Sequence, residues 1–159
     1  MSLKILTVGQ KHPQWLIDAC EEFIIRLPRH VQPKIEPLSL AIRPRETYSA
    51  KQAEVFKKTE GEAILKKIQP TDWVIALHPT GKSYTTPEFA KWIEQWSQLH
   101  KNLVFLIGGP DGLSDGVLAR ANCQLSLSSL TFPHTLAKLV LIEQLYRAYT
   151  LQQNHPYHR

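Results

Sequence analysis

Short apolar runs alternate along this chain with longer segments whose apolar residues recur about every 3.6 positions. The first run covers residues 3–8, and a helical stripe follows it from Pro13 to Leu27. Strands that are separated by helices pair in parallel, and those helices cover both faces of the sheet. The alternation therefore predicts an α/β domain with a mainly parallel sheet and flanking helices.

The pattern recurs five times and predicts one domain over residues 1–159. Strands are expected at residues 3–8, 34–40, 73–77, 103–107 and 124–130. The last three helices have start signals at Thr85 or Thr86, at Ser114 and at Pro133. Prolines 33 and 37 place the second strand at a sheet edge. Residues 41–49 are basic and contain proline, so we expect a mobile loop before a charged helix over 50–68.

The last helix, which runs from Pro133 to about Leu151, is apolar almost all round. A helix without a polar face must be buried on more than one side. In a domain of 159 residues a partner subunit is the expected second cover. The sequence thus predicts a homodimer.

Composition indicates the cellular compartment of the protein and the class of partner that it binds. No apolar run approaches the roughly 18 residues of a membrane span, and we see no signal peptide. Cys20 and Cys123 lack CxxC spacing and predict buried free thiols, so we expect a cytoplasmic protein without a membrane partner. The net charge of +5 favours polyanionic partners, nucleic acid first. Charge alone does not decide this, because solvated lysines raise the pI of many proteins that bind no RNA.

The strongest local motif is the run Leu106-Ile107-Gly108-Gly109-Pro110-Asp111-Gly112, in which a buried strand leads into three glycines. Glycine lets the backbone adopt positive φ and approach a ligand closely. Ligands of parallel sheets bind at the carboxyl ends of the strands, where this loop lies. The spacing is not GxGxxG, which disfavours a dinucleotide site. A plain turn would need fewer glycines, so we favour a ligand loop.

Two further segments have features of binding sites. Residues 80–83 read Thr-Gly-Lys-Ser but lack the earlier P-loop glycine, so we interpret them as a loop and not as a triphosphate site. Residues 126–134 carry four hydroxyl groups before a helix, which favours a polar cleft wall over a plain strand. His134 lies close to that helix N-terminus, where the helix dipole disfavours the imidazolium form. A neutral His134 could act as a base.

The chain ends in Asn154-His155-Pro156-Tyr157-His158-Arg159, which is unusually rich in functional side chains for a terminal tail. These groups can donate to phosphate, stack on a base or move a proton. The spacing of His155 and His158 alone does not complete a metal ligand set, so no metal is expected.

With the glycine loop, residues 130–134 and the tail taken together, the chain resembles the RlmH family of ribosomal RNA large subunit methyltransferases, in the SPOUT (α/β-knot) superfamily. The resemblance runs from Val8-Gly9 through residues 143–148 to the terminus. Asp111 stands where the family commonly has Glu, and Phe132 where Leu is common. Both are mild departures.

The resemblance implies a deep C-terminal trefoil knot that holds S-adenosyl-L-methionine, and a homodimer. It also implies methylation of N3 of a pseudouridine in helix 69 of 23S rRNA, on the assembled ribosome. Carried over to this sequence, the cofactor would be bound by Leu77, Gly108, Gly109, Ser128, Ser129, Leu130, Thr131, Phe132 and Pro133.

We expect His134, Tyr157, His158 and Arg159 to bind and orient the flipped base as catalytic residues. RNA contacts are expected from the remaining basic positions Arg147, His155, Arg43 and Arg45. The group that takes the N3 proton stays open, and bulk water is one route. Two alternatives also stay open: a ribose 2′-O-methyltransferase of the same superfamily, which product analysis would separate, and a non-catalytic ribosome-binding protein, which cofactor calorimetry would reveal.

Overall fold

The central feature of the fold is a sheet of five parallel strands. The computed structural model describes residues 1–9 and 11–159, and within them the strands are β1 Ser2–Val8, β2 Lys34–Leu38, β3 Trp73–Ser83, β4 Asn102–Ile107 and β5 Cys123–Ser126. Their order across the sheet is β2-β1-β4-β3-β5, and every pairing is parallel. The predicted parallel sheet is confirmed. The proline-containing β2 lies at an edge, where a missing N–H costs no ladder bond.

Within the described residues four α-helices connect these strands and a fifth follows β5, and the helices begin where the sequence predicts. They are α1 Gln14–Ile25, α2 Ala50–Lys66, α3 Thr86–Leu99, α4 Asp115–Arg120 and α5 His134–Gln152, with a short 3₁₀ turn at Arg29–Val31. Ser49 and Thr85 each complete a reciprocal capping box with the residue three positions on. The Ser114 side chain accepts a hydrogen bond from the Val117 amide and caps α4.

The helices cover both faces of the sheet and make it the middle of three layers. One core contains α1, α3 and α5 together with Ile75 and Phe105, whereas the opposite core contains α2 and α4 with Val74 and Val104. Successive residues of a strand point to opposite faces, so both sets are buried. This explains the continuous apolar runs of β3 and β4.

The bounds of β3 and β5 differ from the prediction. The interpretation of residues 80–83 as a loop is wrong, because β3 bulges after Leu77 and returns to the ladder with Lys82 and Ser83. At Gly81 a Cβ atom would lie 2.7 Å from the Leu125 carbonyl carbon, so only glycine fits the return. The prediction that β5 reaches residue 130 is also wrong. The side chain of Ser126 donates to the Ser128 carbonyl at 3.0 Å, and this local bond ends the strand.

α5 is at least partly buried at every position from His134 to Leu151. Within the chain it packs against α1 and α3. A partner subunit over this layer stays a prediction. Cys20 and Cys123 are both free, although Cys123 is only partly buried. No helix among the described residues combines the length and apolarity that a bilayer crossing needs.

Candidate active site

A cavity of about 580 Å³ opens at the carboxyl ends of β3, β4 and β5. This is the edge at which ligands of parallel sheets bind. The walls come from residues 77–79 after the first part of β3, from residues 107–113 around the glycine loop and from residues 125–134 between β5 and α5. Lys57 of α2 and Ala137 of α5 complete the lining. The sequence predicted the glycine loop and most of the third wall, and the structure brings both to one cavity.

The glycine loop turns tightly at this edge. The Gly112 amide donates to the Gly109 carbonyl at 3.0 Å, and Gly112 has a φ of +87°. At Gly108 a Cβ atom would lie 2.6 Å from the Gly112 carbonyl carbon, a contact with backbone that no side chain can relieve. The loop therefore needs glycine at 108 for its own closure and at 112 for its dihedral angles.

A buried ionic network holds the glycine loop from behind. Arg43 donates to both carboxylate oxygens of Glu60, at 2.7 and 3.0 Å, and to Asp111 at 2.9 Å. The Tyr48 hydroxyl donates to the same Asp111 at 2.9 Å. The side chains of Arg43 and Glu60 are 9% and 2% exposed. The hydrogen bonds that Arg43 donates to Glu60 and Asp111 raise the pKa of its guanidinium, so it stays charged.

This network corrects two expectations. Residues 41–49 form no helix or strand, but they are anchored through Arg43 and Tyr48 and do not form the mobile loop we predicted. Arg43 itself was expected to contact RNA phosphates. Its guanidinium is instead buried against two carboxylates, so its charge is already paired inside the protein. Arg45 is exposed, as an RNA contact would require.

The segment between β5 and α5 leaves backbone donors free. Among the described residues, the N–H groups of Ser128, Thr131 and Phe132 donate to no protein acceptor, whereas Leu130 donates to the Ser128 hydroxyl. Such groups bind a ligand or water. Ser129 is exposed and does not line the cavity, unlike the other predicted positions of this segment.

His134 begins α5 and lines the same cavity. Burial lowers the pKa of His134, and the nearby Arg43 lowers it further, while Glu60 raises it. The imidazole is therefore neutral at pH 7 and can accept a proton. The main cause of the neutral state of His134 is burial, whereas the sequence analysis attributed it to the helix dipole. His134 is the one predicted catalytic residue at the cavity.

The tail folds back on the C-terminal half of α5. Asn154 has a φ of +53°, and the His155 amide donates to the Thr150 carbonyl at 2.8 Å, which closes the helix end and reverses the chain. The Tyr157 hydroxyl then donates to Glu143 at 3.1 Å, and the Arg147 guanidinium lies 4.6 Å from the Tyr157 ring centroid.

These contacts keep the tail away from its own cavity. Thirteen residues separate His134 from Arg147, which is about 20 Å along the helix. His158 lies 3.5 Å from Arg147 and belongs to the distant end, as does Tyr157. One chain therefore does not bring His134 together with the tail. Arg147, expected to bind phosphate, is paired with Glu143 at 2.8 Å, while His155 and Arg159 are exposed.

Several lining residues were not predicted from the sequence. Lys57 lies on α2, far along the chain from the motifs. His78 and Pro79 follow Leu77 directly, and their place after a buried strand was the available signal. In the part of the chain that the structure describes, no three His, Cys, Asp or Glu side chains are placed to bind a metal ion.

Comparison of the sequence with known proteins identifies relatives over its full length. A family model described as "Predicted SPOUT methyltransferase" matches residues 1–158. A protein of Hahella chejuensis called ribosomal RNA large subunit methyltransferase H is 42% identical over 159 residues, which cover 100% of this chain and 99% of the relative. Proteins of the same name from Saccharophagus degradans and Acinetobacter baumannii are each 40% identical, over 100% of this chain and 100% and 99% of their own lengths.

Proposed function

Because the chain belongs to the RlmH family of SPOUT methyltransferases, we propose that it methylates N3 of a pseudouridine in helix 69 of 23S rRNA, on the assembled ribosome, with S-adenosyl-L-methionine as donor. The observation that carries this is the cavity at the carboxyl ends of β3 to β5, built from the two segments through which the family resemblance runs. The deep trefoil knot of the C-terminal segment and a cytoplasmic location belong to the same proposal.

The residues of the cavity fit the proposed cofactor. Its volume of about 580 Å³ lies within the range of small-molecule sites. Apolar side chains at Leu77, Leu125 and Leu127 offer a surface for a flat adenine ring. The free N–H groups at Ser128 and Phe132 offer donors to ring nitrogens or to a ribose. We infer that these residues and the backbone of Gly108 and Gly109 hold the cofactor.

Methyl transfer from a sulfonium requires few catalytic groups from the protein. When bound, S-adenosylmethionine supplies an electrophilic methyl group on a sulfonium, so the nucleophile needs only alignment and exclusion of water. The imide nitrogen N3 must lose its proton before it attacks. His134 is neutral, lines the cavity and is the group we assign to accept that proton.

We propose that the tail of one subunit contributes to the active site of the other subunit in a homodimer. Since one chain keeps its tail about 20 Å from its own His134, Tyr157, His158 and Arg159 can orient the base only in the cavity of a partner subunit. Exposed apolar side chains on α1, at Trp15, at Ile17 and at Ile25, support a subunit interface.

The basic surface supports an RNA substrate. The net charge is +5, and Arg45 and His155 are exposed and have no acidic partner among the described residues. Phosphate contacts of this kind position the nucleic acid. We therefore propose that Arg45, His155 and the solvent-exposed part of Arg147 contact RNA. The RNA-containing partner would be the ribosome.

A complementation experiment tests the proposal. We expect neither the His134→Ala homodimer nor a homodimer lacking residues 156–159 to methylate ribosomes. A mixed population of the two contains heterodimers with one intact composite site, so activity should return to roughly a quarter of the wild-type rate when subunits exchange freely. No recovery in dimers of verified composition would contradict the cross-subunit site, and full activity of the truncated protein would remove the tail from the mechanism.

A further inference from the structure

A cluster of basic side chains lies behind the wall that His134 forms. We define the basic cluster as His12, His134 and Lys138. Lys138 follows His134 by four residues on α5, so the two side chains share a helix face. The His12 ring centroid is 6.4 Å from that of His134. The mechanism proposed above uses only His134.

Two members of the basic cluster have no hydrogen-bond or ion-pair partner among the described residues, and in His12 both ring nitrogens are fully buried. Lys138 is 6% exposed, and its ammonium makes no hydrogen bond or ion pair with any described residue. Both ring nitrogens of His12 are buried and have no hydrogen-bond partner in the described structure. A buried polar group without a partner costs about 1–3 kcal/mol, and native proteins contain few of them. The cluster therefore needs an explanation beyond folding.

Within the described residues, no unpaired negative charge compensates the cluster. Burial lowers the pKa of Lys138, and the group that opposes this is the Cys20 thiol, whose own pKa burial raises, so that it stays neutral. Burial, Lys138 and His134 together lower the pKa of His12, while the Gly9 backbone raises it. With both imidazoles mostly neutral, the Lys138 ammonium is the positive charge of the cluster, and no carboxylate among the described residues pairs with it.

The one carboxylate that acts on the cluster is already engaged. Glu60 raises the pKa of His134, but it is bound at both oxygens by Arg43, whose charge lowers the same pKa. The Arg43–Glu60 pair is thus close to neutral as seen from the cluster. It does not supply the missing acceptor.

We propose that the basic cluster binds an oxyanion, a carboxylate or a phosphate, carried by a molecule that enters the cavity beside His134. This inference rests on the proposed function for its two sources. One is the carboxylate at the methionine end of the cofactor, and the other is a backbone phosphate next to the target nucleotide. Both give Lys138 an ion pair and His12 an acceptor.

Binding of an oxyanion would change the proton content of the protein. A negative charge at the cluster favours the charged forms of His12 and His134 and so raises their pKa values toward the ordinary value of about 6.5, which leaves His134 largely neutral at pH 7. At pH 6.5 both imidazoles are mostly neutral in the free protein. Proton uptake on binding is therefore the signature that a purely structural cluster would not give.

Calorimetry on the full-length protein tests this at pH 6.5, in two buffers of different ionisation enthalpy. The ligands are S-adenosylhomocysteine, 5′-methylthioadenosine, which lacks the carboxylate, and a short single-stranded RNA at fixed salt. His12→Met and Lys138→Met remove cluster members, and Lys11→Met is the matched control because Lys11 is exposed beside them.

Each arm has a distinct outcome. If the carboxylate is the ligand, wild type takes up protons with S-adenosylhomocysteine only, and both cluster variants bind it at least about tenfold more weakly, while 5′-methylthioadenosine binding is unchanged. If a phosphate is the ligand, uptake and the tenfold loss appear with the RNA instead. No proton uptake with either ligand, together with unchanged affinities in His12→Met, would overturn the inference. Absence of S-adenosylhomocysteine binding in wild type would contradict the proposed function instead, and the RNA arm would still decide the cluster.

Discussion

Replacing Arg43 by methionine should destabilise the fold much more than replacing Arg45, its neighbour two positions on. Methionine keeps most of the apolar length but removes the guanidinium. The Glu60 carboxylate, whose side chain is 2% exposed, would then keep one donor among the described residues, the Ala41 amide at 2.9 Å. Breaking a buried ion pair from one side costs about 3–5 kcal/mol.

That free energy converts into a large thermal shift. For a chain of this size each kcal/mol lowers the melting temperature by about 2–4 °C, so we expect a decrease of about 6–20 °C. Circular dichroism at fixed protein concentration measures it. Arg45→Met should melt within about 2 °C of wild type, since surface substitutions change stability by about 0.5 kcal/mol or less.

A double variant separates the unpaired charge from simple loss of packing. Arg43→Met with Glu60→Leu removes both charges, so it should melt at a higher temperature than Arg43→Met alone. The reasoning would be refuted if Arg43→Met melted with Arg45→Met, or if the double variant were the less stable of the two. Either result would mean that the network is solvated and does not anchor the glycine loop.

Three further predictions concern the cavity and the tail. Gly108→Ala forces a Cβ atom to 2.6 Å from backbone and should abolish S-adenosylhomocysteine binding by calorimetry, whereas Gly116→Ala, with open space around it, should bind normally. The methylation rate should fall as pH drops through the pKa of His134, which burial holds below 6.5, and any residual activity of His134→Gln should lack that acidic limb. Asn154→Val disfavours the φ of +53° and should lower methylation without weakening cofactor affinity; equal loss of both would contradict a tail role separate from the cofactor site.

Local signals predicted the elements well where one cause dominates. The capping residues Thr85 and Ser114 and the apolar runs of β3 and β4 each depend on neighbouring positions, and the structure confirms them. The predicted β3 was too short because Pro79 and Gly81 are typical turn residues, whereas the observed strand continues to Ser83. The ladder resumes beyond them only through contact with β5, which is distant in sequence.

The candidate site was predictable where local sequence signals mark it, and not where it depends on residues that are distant in sequence. The glycine loop and residues 128–133 carry composition signals that place them at a ligand. The partners of Arg43 lie 17 and 68 residues away, and no spacing rule connects them. The tail reverses direction at Asn154, which is in left-handed conformation, and contacts of Tyr157 with Glu143 and Arg147 then hold it against α5. Sequence reasoning identified the tail as functional but could not show that it folds away from its own His134.

The most direct test of the account is a methylation assay with labelled S-adenosylmethionine on whole ribosomes that lack the modification, followed by nucleoside mass spectrometry. The account predicts incorporation of one methyl group and a 3-methylpseudouridine product. A ribose-methylated nucleoside would contradict N3 as the acceptor. No incorporation, by a protein shown to bind S-adenosylhomocysteine, would contradict the ribosome as the substrate.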